Sequence, residues 1–201
     1  MAETRERFIE AATTVFAERG FYGTSIAAVA EALPFTKQAL LHHFGSKEKL
    51  YAEVLKRISD RLMTELDEIG ERYSEPRERF EETIIEFYRS SLEHPGDTAL
   101  LMRELLDNKR RAETSRTWYL KPFLETLTDL ATAIPSSGLR QRPAALALVY
   151  QLLGAINYFA VSEPTLAQMF GKRAYAELSS GYEDELRTLI AARLDAGDRK
   201  Q

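Results

Sequence analysis

The 201-residue chain is expected to be all-α, for two reasons. Almost every long segment repeats its apolar residues at the 3.6-residue period of a helix, and no segment sustains the period of two that marks a strand. Hydrophobic residues make up 44 % of the chain, enough to cover a substantial core. About nine helices are expected, the first three short and the rest long.

The first helix spans roughly residues 4–19, with Phe8, Ile9, Ala12, Val15 and Phe16 on one face and Gly20 as its stop. Thr24 or Ser25 can cap a second, short helix that turns Ile26, Val29, Ala30 and Leu33 inward. Pro34 disfavours helical geometry at Leu33, and Thr36 caps a third helix ending near Phe44, before Gly45. Ser46 then starts a fourth, with Glu48 in its first turn and the stripe Leu50, Val54, Leu55, Ile58, Leu62, Leu66 and Ile69 along about six turns.

Further helices are expected at about 76–93, 97–111, 114–133, 142–168 and 171–195, separated by proline- and glycine-bearing stretches. The segment from Pro143, "PAALALVYQLLGAINYFAV", is apolar nearly all round and must be covered on most sides. The final helix carries the narrower stripe Leu178, Tyr182, Leu186, Leu189, Ile190 and Leu194.

Three short helices packed through Phe8, Phe16, Val29, Leu40 and Phe44, with a tight connection between the second and third, describe a helix-turn-helix head over residues 1–48. Residues 49–201 form a second, helical domain. The absence of cysteine excludes disulfide scaffolds, thiolate metal sites and cysteine nucleophiles. No eighteen-residue apolar run and no basic-then-apolar leader are seen, so a cytoplasmic protein with no membrane partner is expected.

The net charge is −4, and residues 1–50 carry six basic and six acidic side chains. A nucleic-acid role must therefore come from a few placed residues rather than from bulk charge. His42 and His43 raise that question. Adjacent helical residues diverge by about 100°, so they make a poor metal pair, for which i and i+4 spacing is wanted. On the third helix Leu40 and Phe44 point inward, Lys37, Gln38, Leu41 and His42 share the opposite side, and His43 falls on the inner flank. Such a face is often merely solvated. A helix of barely two turns, capped by hydroxyls and followed by Lys47, also suits phosphates and base edges in a major groove.

The stretch "AATTVFAERGFYGTSIAAVAEALPFTKQALLHHFGSKEKLYAEVL", Ala11 to Leu55, resembles the tetracycline-repressor (TetR) family of one-component transcriptional regulators. The pattern F-x-E-R-G-[FY]-x-G-T-S, followed at the right distance by HHF-x-S-K-E-x-L, carries the resemblance. It implies a homodimer, paired through its last two long helices, that binds palindromic operator DNA with one recognition helix per subunit. It also implies release by a small-molecule inducer entering the C-terminal ligand-binding and dimerisation domain. Carried over by position, Thr24, Ser25, His43 and Lys47 should contact phosphate, and Thr36, Lys37, Gln38, Leu41 and His42 should face the groove or its rim. The turn departs from the family, with Pro34-Phe35-Thr36 where Gly-Val-Ser is usual, Gln38 where glycine is frequent and Leu41 where tyrosine is frequent.

For the ligand the candidates are Phe87, Met102, Arg103, Trp118, Tyr119, Phe123, Tyr150, Gln151 and Asn157, an apolar and aromatic set with a few polar groups. Gln151 and Asn157 stand out as polar groups in an apolar helix, where burial without a partner costs about 1–3 kcal/mol. Arg103, with Glu104 and Asp107, reads equally as a surface ion network. Two rival functions remain. A helical enzyme finds no support, because His42, His43 and His94 are the only histidines and none has the spacing of a base beside a nucleophile. The other rival is a ligand-binding or interaction dimer whose DNA head has degenerated. No metal and no cofactor are expected.

Overall fold

In the computed structural model, which describes residues 2–111 and 119–196, all regular structure among the described residues is helical. The helices are α1 (Ala2–Gly23), α2 (Ile26–Glu31), α3 (Lys37–Phe44), α4 (Lys47–Arg72), α5 (Pro76–Glu93), α6 (Pro95–Arg111), α7 (Lys121–Ala133), α8 (Arg142–Phe170) and α9 (Lys172–Asp195). A single 3₁₀ turn, Pro135–Ser137, follows α7. Two compact units result, Met1–Arg61 with His94–Tyr119, and Leu62–Glu93 with Leu120–Gln201.

The first unit is built on aromatic packing. Phe8 and Phe16, one on each half of α1, are both fully buried. Phe8 meets Phe44 of α3 edge-on at 6.2 Å between ring centres, and Phe16 meets Tyr51 of α4 edge-on at 4.8 Å. Such rings contribute heavily to the core of this unit, since each can remove roughly 150–250 Å² from water. Gly20 breaks α1 as expected, with φ 69° and ψ 174°, but the chain regains one more helical turn before Gly23. Only glycine adopts that backbone without a Cβ penalty.

α6 also belongs to this unit, which motif spacing alone did not indicate. It packs along α1, and three polar ties fasten it: Arg103 donates to the Glu18 carbonyl at 3.0 Å, Tyr51 to the Glu104 carboxylate at 2.6 Å, and Arg61 to Asp97 at 2.8 Å. The surface ion network read for Arg103 and Glu104 is thus corrected at Glu104. Only 4 % of it is exposed, because the amphipathic α6 turns that position toward α4. Asp107's side chain lies outside the described residues.

The second unit is a bundle of the end of α4 with α5, α7, α8 and α9. Phe80, Ile84 and Ile85 of α5, Leu127 and Ala131 of α7, and Val149, Leu152 and Ile156 of α8 form its interior. Phe159 of α8 stacks on Tyr182 of α9 at 3.8 Å between centroids, and Tyr88 of α5 stacks on Tyr182 at 5.3 Å. Burial is the first cause that raises the Tyr88 and Tyr182 phenols above their ordinary pKa.

α8 corrects one sequence expectation. Its stretch Arg142–Val161, with mean hydropathy 1.7, is long and apolar enough to cross a membrane by length and composition alone. Half of that stretch is buried, against α5, α7 and α9, so the packing is that of a core helix. Pro164 lies inside α8 without ending it, and Gly171 with φ 87° separates α8 from α9.

Candidate nucleic-acid interface

α3 owes its placement to two side chains. Leu40 and Phe44 are buried at 0 % and 5 % exposure, four residues apart and so on one face. The Thr36 hydroxyl oxygen accepts from the Ala39 N–H at 3.2 Å, and Gly45, at φ 77°, closes the other end by donating its N–H to the Leu41 carbonyl at 2.8 Å. Eight residues this short are marginal as an isolated helix, so caps and anchors together hold the rod in place.

With its inner face anchored, α3 presents the residues expected of it. Thr36, Lys37, Gln38 and His42 are exposed, and Leu41 is half-buried beside them. Ser25 is likewise exposed and caps α2, its hydroxyl oxygen accepting from the Ala28 N–H at 3.1 Å. A capping hydroxyl keeps its own hydrogen, so Ser25 and Thr36 retain a donor for an outside acceptor.

Two expected contacts are placed differently, and a third, His43, keeps the inner-flank position read for it. Thr24 is 3 % exposed, and its hydroxyl lies 2.8 Å from the Gly20 carbonyl and 3.3 Å from that of Val15. It braces the break at Gly20 instead of pointing outward. The Lys47 ammonium donates to the carbonyls of Phe21 and Thr24, each at 3.0 Å, and sits 4.2 Å from the centre of the Phe21 ring. It satisfies carbonyls at the end of the α1 extension, which suits a cation there. His43 is half-buried with its ring 5.7 Å from that of Phe8. These roles follow from tertiary packing, which residue type and spacing do not report.

At the start of α4, the Ser46 hydroxyl oxygen accepts from the Lys49 N–H at 3.2 Å. Glu48 in the same turn has its carboxyl held below the ordinary range, first by its own backbone N–H and then by the Ser46 hydroxyl. That is the behaviour of a carboxylate in a helix's first turn.

The candidate ligand residues are not brought together as one set. Met102, Arg103 and Tyr119 belong to the first unit, whereas Phe87, Phe123, Tyr150, Gln151 and Asn157 belong to the second, and Trp118 lies outside the described residues. In the second unit Phe87 and Phe123 lie tilted to one another at 5.6 Å between centroids, beside a crevice too narrow to hold a water molecule, lined also by Leu62, Glu65, Leu66, Thr83 and Glu86. A drug-sized ligand needs roughly 300–1,000 Å³. Tyr150 and Gln151 are exposed, contrary to the burial expected of Gln151. Asn157 is 9 % exposed, and its Oδ1 is buried with no hydrogen-bond partner among the described residues.

Residues 8–54 match the family described as bacterial regulatory proteins, tetR family. Across most of its length the chain is similar to the HTH-type transcriptional repressor KstR2 of Mycobacterium tuberculosis, at 23 % identity over 190 residues covering 90 % of this chain and 94 % of the relative. It is similar to the HTH-type transcriptional regulator RutR of Escherichia coli at 25 % identity, over 83 % of this chain and 78 % of that one. The fold is shared with the fatty acid degradation regulator FadR of Bacillus halodurans, with TM-score 0.68 and 15 % identity over 92 % and 93 % of the two chains. With the capped α3, its buried anchors and the match over residues 8–54, the head of this chain belongs to the TetR family of bacterial regulatory proteins.

Proposed function

We propose that the protein is a transcriptional repressor in the cytoplasm that binds a palindromic operator as a homodimer and is released by a small molecule. The observation that carries this reading is the outward face of α3, where Thr36, Lys37, Gln38 and His42 are exposed while Leu40 and Phe44 hold the rod from within. Gln can pair bidentately with adenine and Lys with guanine in a major groove, and leucine at position 41 offers a contact for a thymine methyl. Residues 1–48 are the DNA-contacting part and 49–201 the ligand-binding and dimerising part, with α4 continuous from one into the other.

Dimerisation through α8 and α9 is supported by what these helices leave uncovered. Leu186, Ile190 and Leu194 are buried, but Tyr158 is 71 % exposed, Leu178 46 % and Leu189 55 %. Two-fold pairing of α8 and α9 would cover these side chains in a four-helix arrangement. Recognition helices in such a dimer address half-sites about 34–36 Å apart, or a multiple of that.

An inducer acts only through a difference in affinity between the DNA-competent and released states, on the order of several kcal/mol for a nearly complete switch. Asn157, a buried amide without a partner for its Oδ1, supports a ligand that donates a hydrogen bond inside an otherwise apolar unit. Likeness to a fatty acid degradation regulator makes a largely apolar small molecule the first class to test. The deciding experiment is titration of the purified protein with duplex DNA flanking its own gene. Sequence-selective, salt-sensitive binding that Lys37→Ala weakens supports the reading, and its absence leaves a ligand-binding dimer with a degenerate head.

A further inference from the structure

Residues 1–50 carry no net charge, so this region needs a particular source of attraction for phosphates, and much of its basic complement is engaged within the protein. Arg5 pairs with Glu53 at 2.5 Å, and Lys47 is bound to the Phe21 and Thr24 carbonyls. Just beyond the head, Arg57 and Arg61 on α4 are drawn to Glu6 and Asp97. Two cations beside α3 differ. Arg7 is exposed, pairs with no carboxylate among the described residues, and lies with its guanidinium 5.2 Å from the centre of the Phe35 ring. Phe35 is itself held against Phe8 at 5.1 Å and immediately precedes the Thr36 cap, which places Arg7 at the N-terminal end of α3. At the opposite end, exposed Lys49 has its Nζ 3.8 Å from where a Cβ on Gly45, the C-cap of α3, would stand.

We infer that Arg7 and Lys49 are phosphate-contacting residues that bracket the recognition helix. α3 has eight residues, about 12 Å of rise, and the major groove is about 12 Å wide. A rod of that length carrying a cation at each end can meet the two flanking phosphate backbones while the residues between read bases. The Phe35 ring is the reason Arg7 is specific to this chain's turn. A flat aromatic face orients a guanidinium and leaves its N–H groups free along the edge, where a small aliphatic residue at position 35 would not.

This inference rests on the DNA-binding reading, and the test separates the two. Arg7→Gln, Lys49→Gln, Lys37→Ala and Arg140→Gln are each titrated with the duplex flanking the gene and with a scrambled duplex, over a salt series. Arg140 is an exposed cation of the second unit and controls for net charge. Arg7→Gln and Lys49→Gln are expected to weaken both duplexes on the order of ten-fold, and to flatten the slope of log K against log salt by about 1 per protomer, without changing the preference between duplexes. Phe35→Leu should reproduce part of the Arg7 effect, with unchanged circular dichroism and melting confirming that the head is folded. If Lys37→Ala weakens binding while Arg7→Gln and Lys49→Gln behave like Arg140→Gln, the bracketing role is wrong and the DNA reading stands. No binding by the unaltered protein overturns both.

Discussion

The Tyr51 hydroxyl donates a 2.6 Å hydrogen bond to the Glu104 carboxylate, joining α4 to α6 across 53 positions of sequence, with both residues almost closed to water. A carboxylate buried at this depth depends on its donors, since desolvation penalises the charge unless hydrogen bonds replace water. Tyr51→Phe keeps the ring against Phe16 and Phe21 and removes only that donor. The expected loss is about 1–3 kcal/mol in urea unfolding. The double change Tyr51→Phe with Glu104→Leu should recover part of it, because an apolar pair leaves no charge to satisfy. A single mutant as stable as the parent would show that the carboxylate does not depend on this hydroxyl.

The Thr36 cap is expected to matter more for DNA binding than for global stability. Loss of the hydroxyl in Thr36→Ala costs a helix about 0.5–2 kcal/mol, and α3 has only two turns over which to absorb it. Lys37 and Gln38 lie in the first turn that frays. Fluorescence anisotropy with the operator duplex should therefore fall further for Thr36→Ala than for Thr36→Ser, with the urea midpoint shifting little in either. Equal affinities would show that the cap does not position those side chains.

Acid should loosen the tie between α5 and α9. The Glu183 carboxylate accepts from Arg89 at 2.7 and 3.0 Å and from Arg187 at 3.1 Å, and Arg187 also donates to Glu82 at 2.6 Å. The Arg89 hydrogen bond is the main reason the Glu183 pKa lies below its ordinary value. A depressed folded-state pKa stabilises the fold fully above the ordinary glutamate value near 4.3, and that contribution disappears as pH falls through the lower folded value. Because these groups are partly exposed, Glu183→Gln should cost no more than about 1 kcal/mol at neutral pH. It should also flatten the acid limb of a melting-temperature profile, and an unaltered limb would assign acid sensitivity to other carboxylates.

Leu189→Glu addresses the α8 and α9 face. The side chain is 55 % exposed, so the change should alter protomer stability by less than about 0.5 kcal/mol. If that face is the dimer contact, a buried unpaired charge splits it. Sedimentation velocity should then show monomers with full helical content and weakened operator binding. An unchanged dimer would place the contact elsewhere.

How much of this was legible beforehand depends on the range of the interaction involved. The helix breaks at Gly20 and Gly45, the caps at Ser25, Thr36 and Ser46, and the anchors Leu40 and Phe44 all follow from interactions within a few residues, so period and residue type suffice to find them. The exposed side of α3 follows by subtraction, since a helix anchored on one face must show the other.

Local pattern cannot say which partner a side chain meets when that partner is far away in the chain. Lys47, Thr24 and Glu104 have the same composition and spacing whether they face phosphate, solvent or a neighbouring helix, and packing turned all three to internal work. Arg7 is the reverse case. Nothing in its local sequence distinguishes it from the other charges of α1, and only the fold sets it on Phe35 at the end of the recognition helix. The sequence by itself determined the all-helical class, the caps and anchors of the head, and the family of that head. Tertiary structure decided which cations are engaged internally and which face outward, because a charge's availability depends on neighbours brought close by folding rather than by chain order.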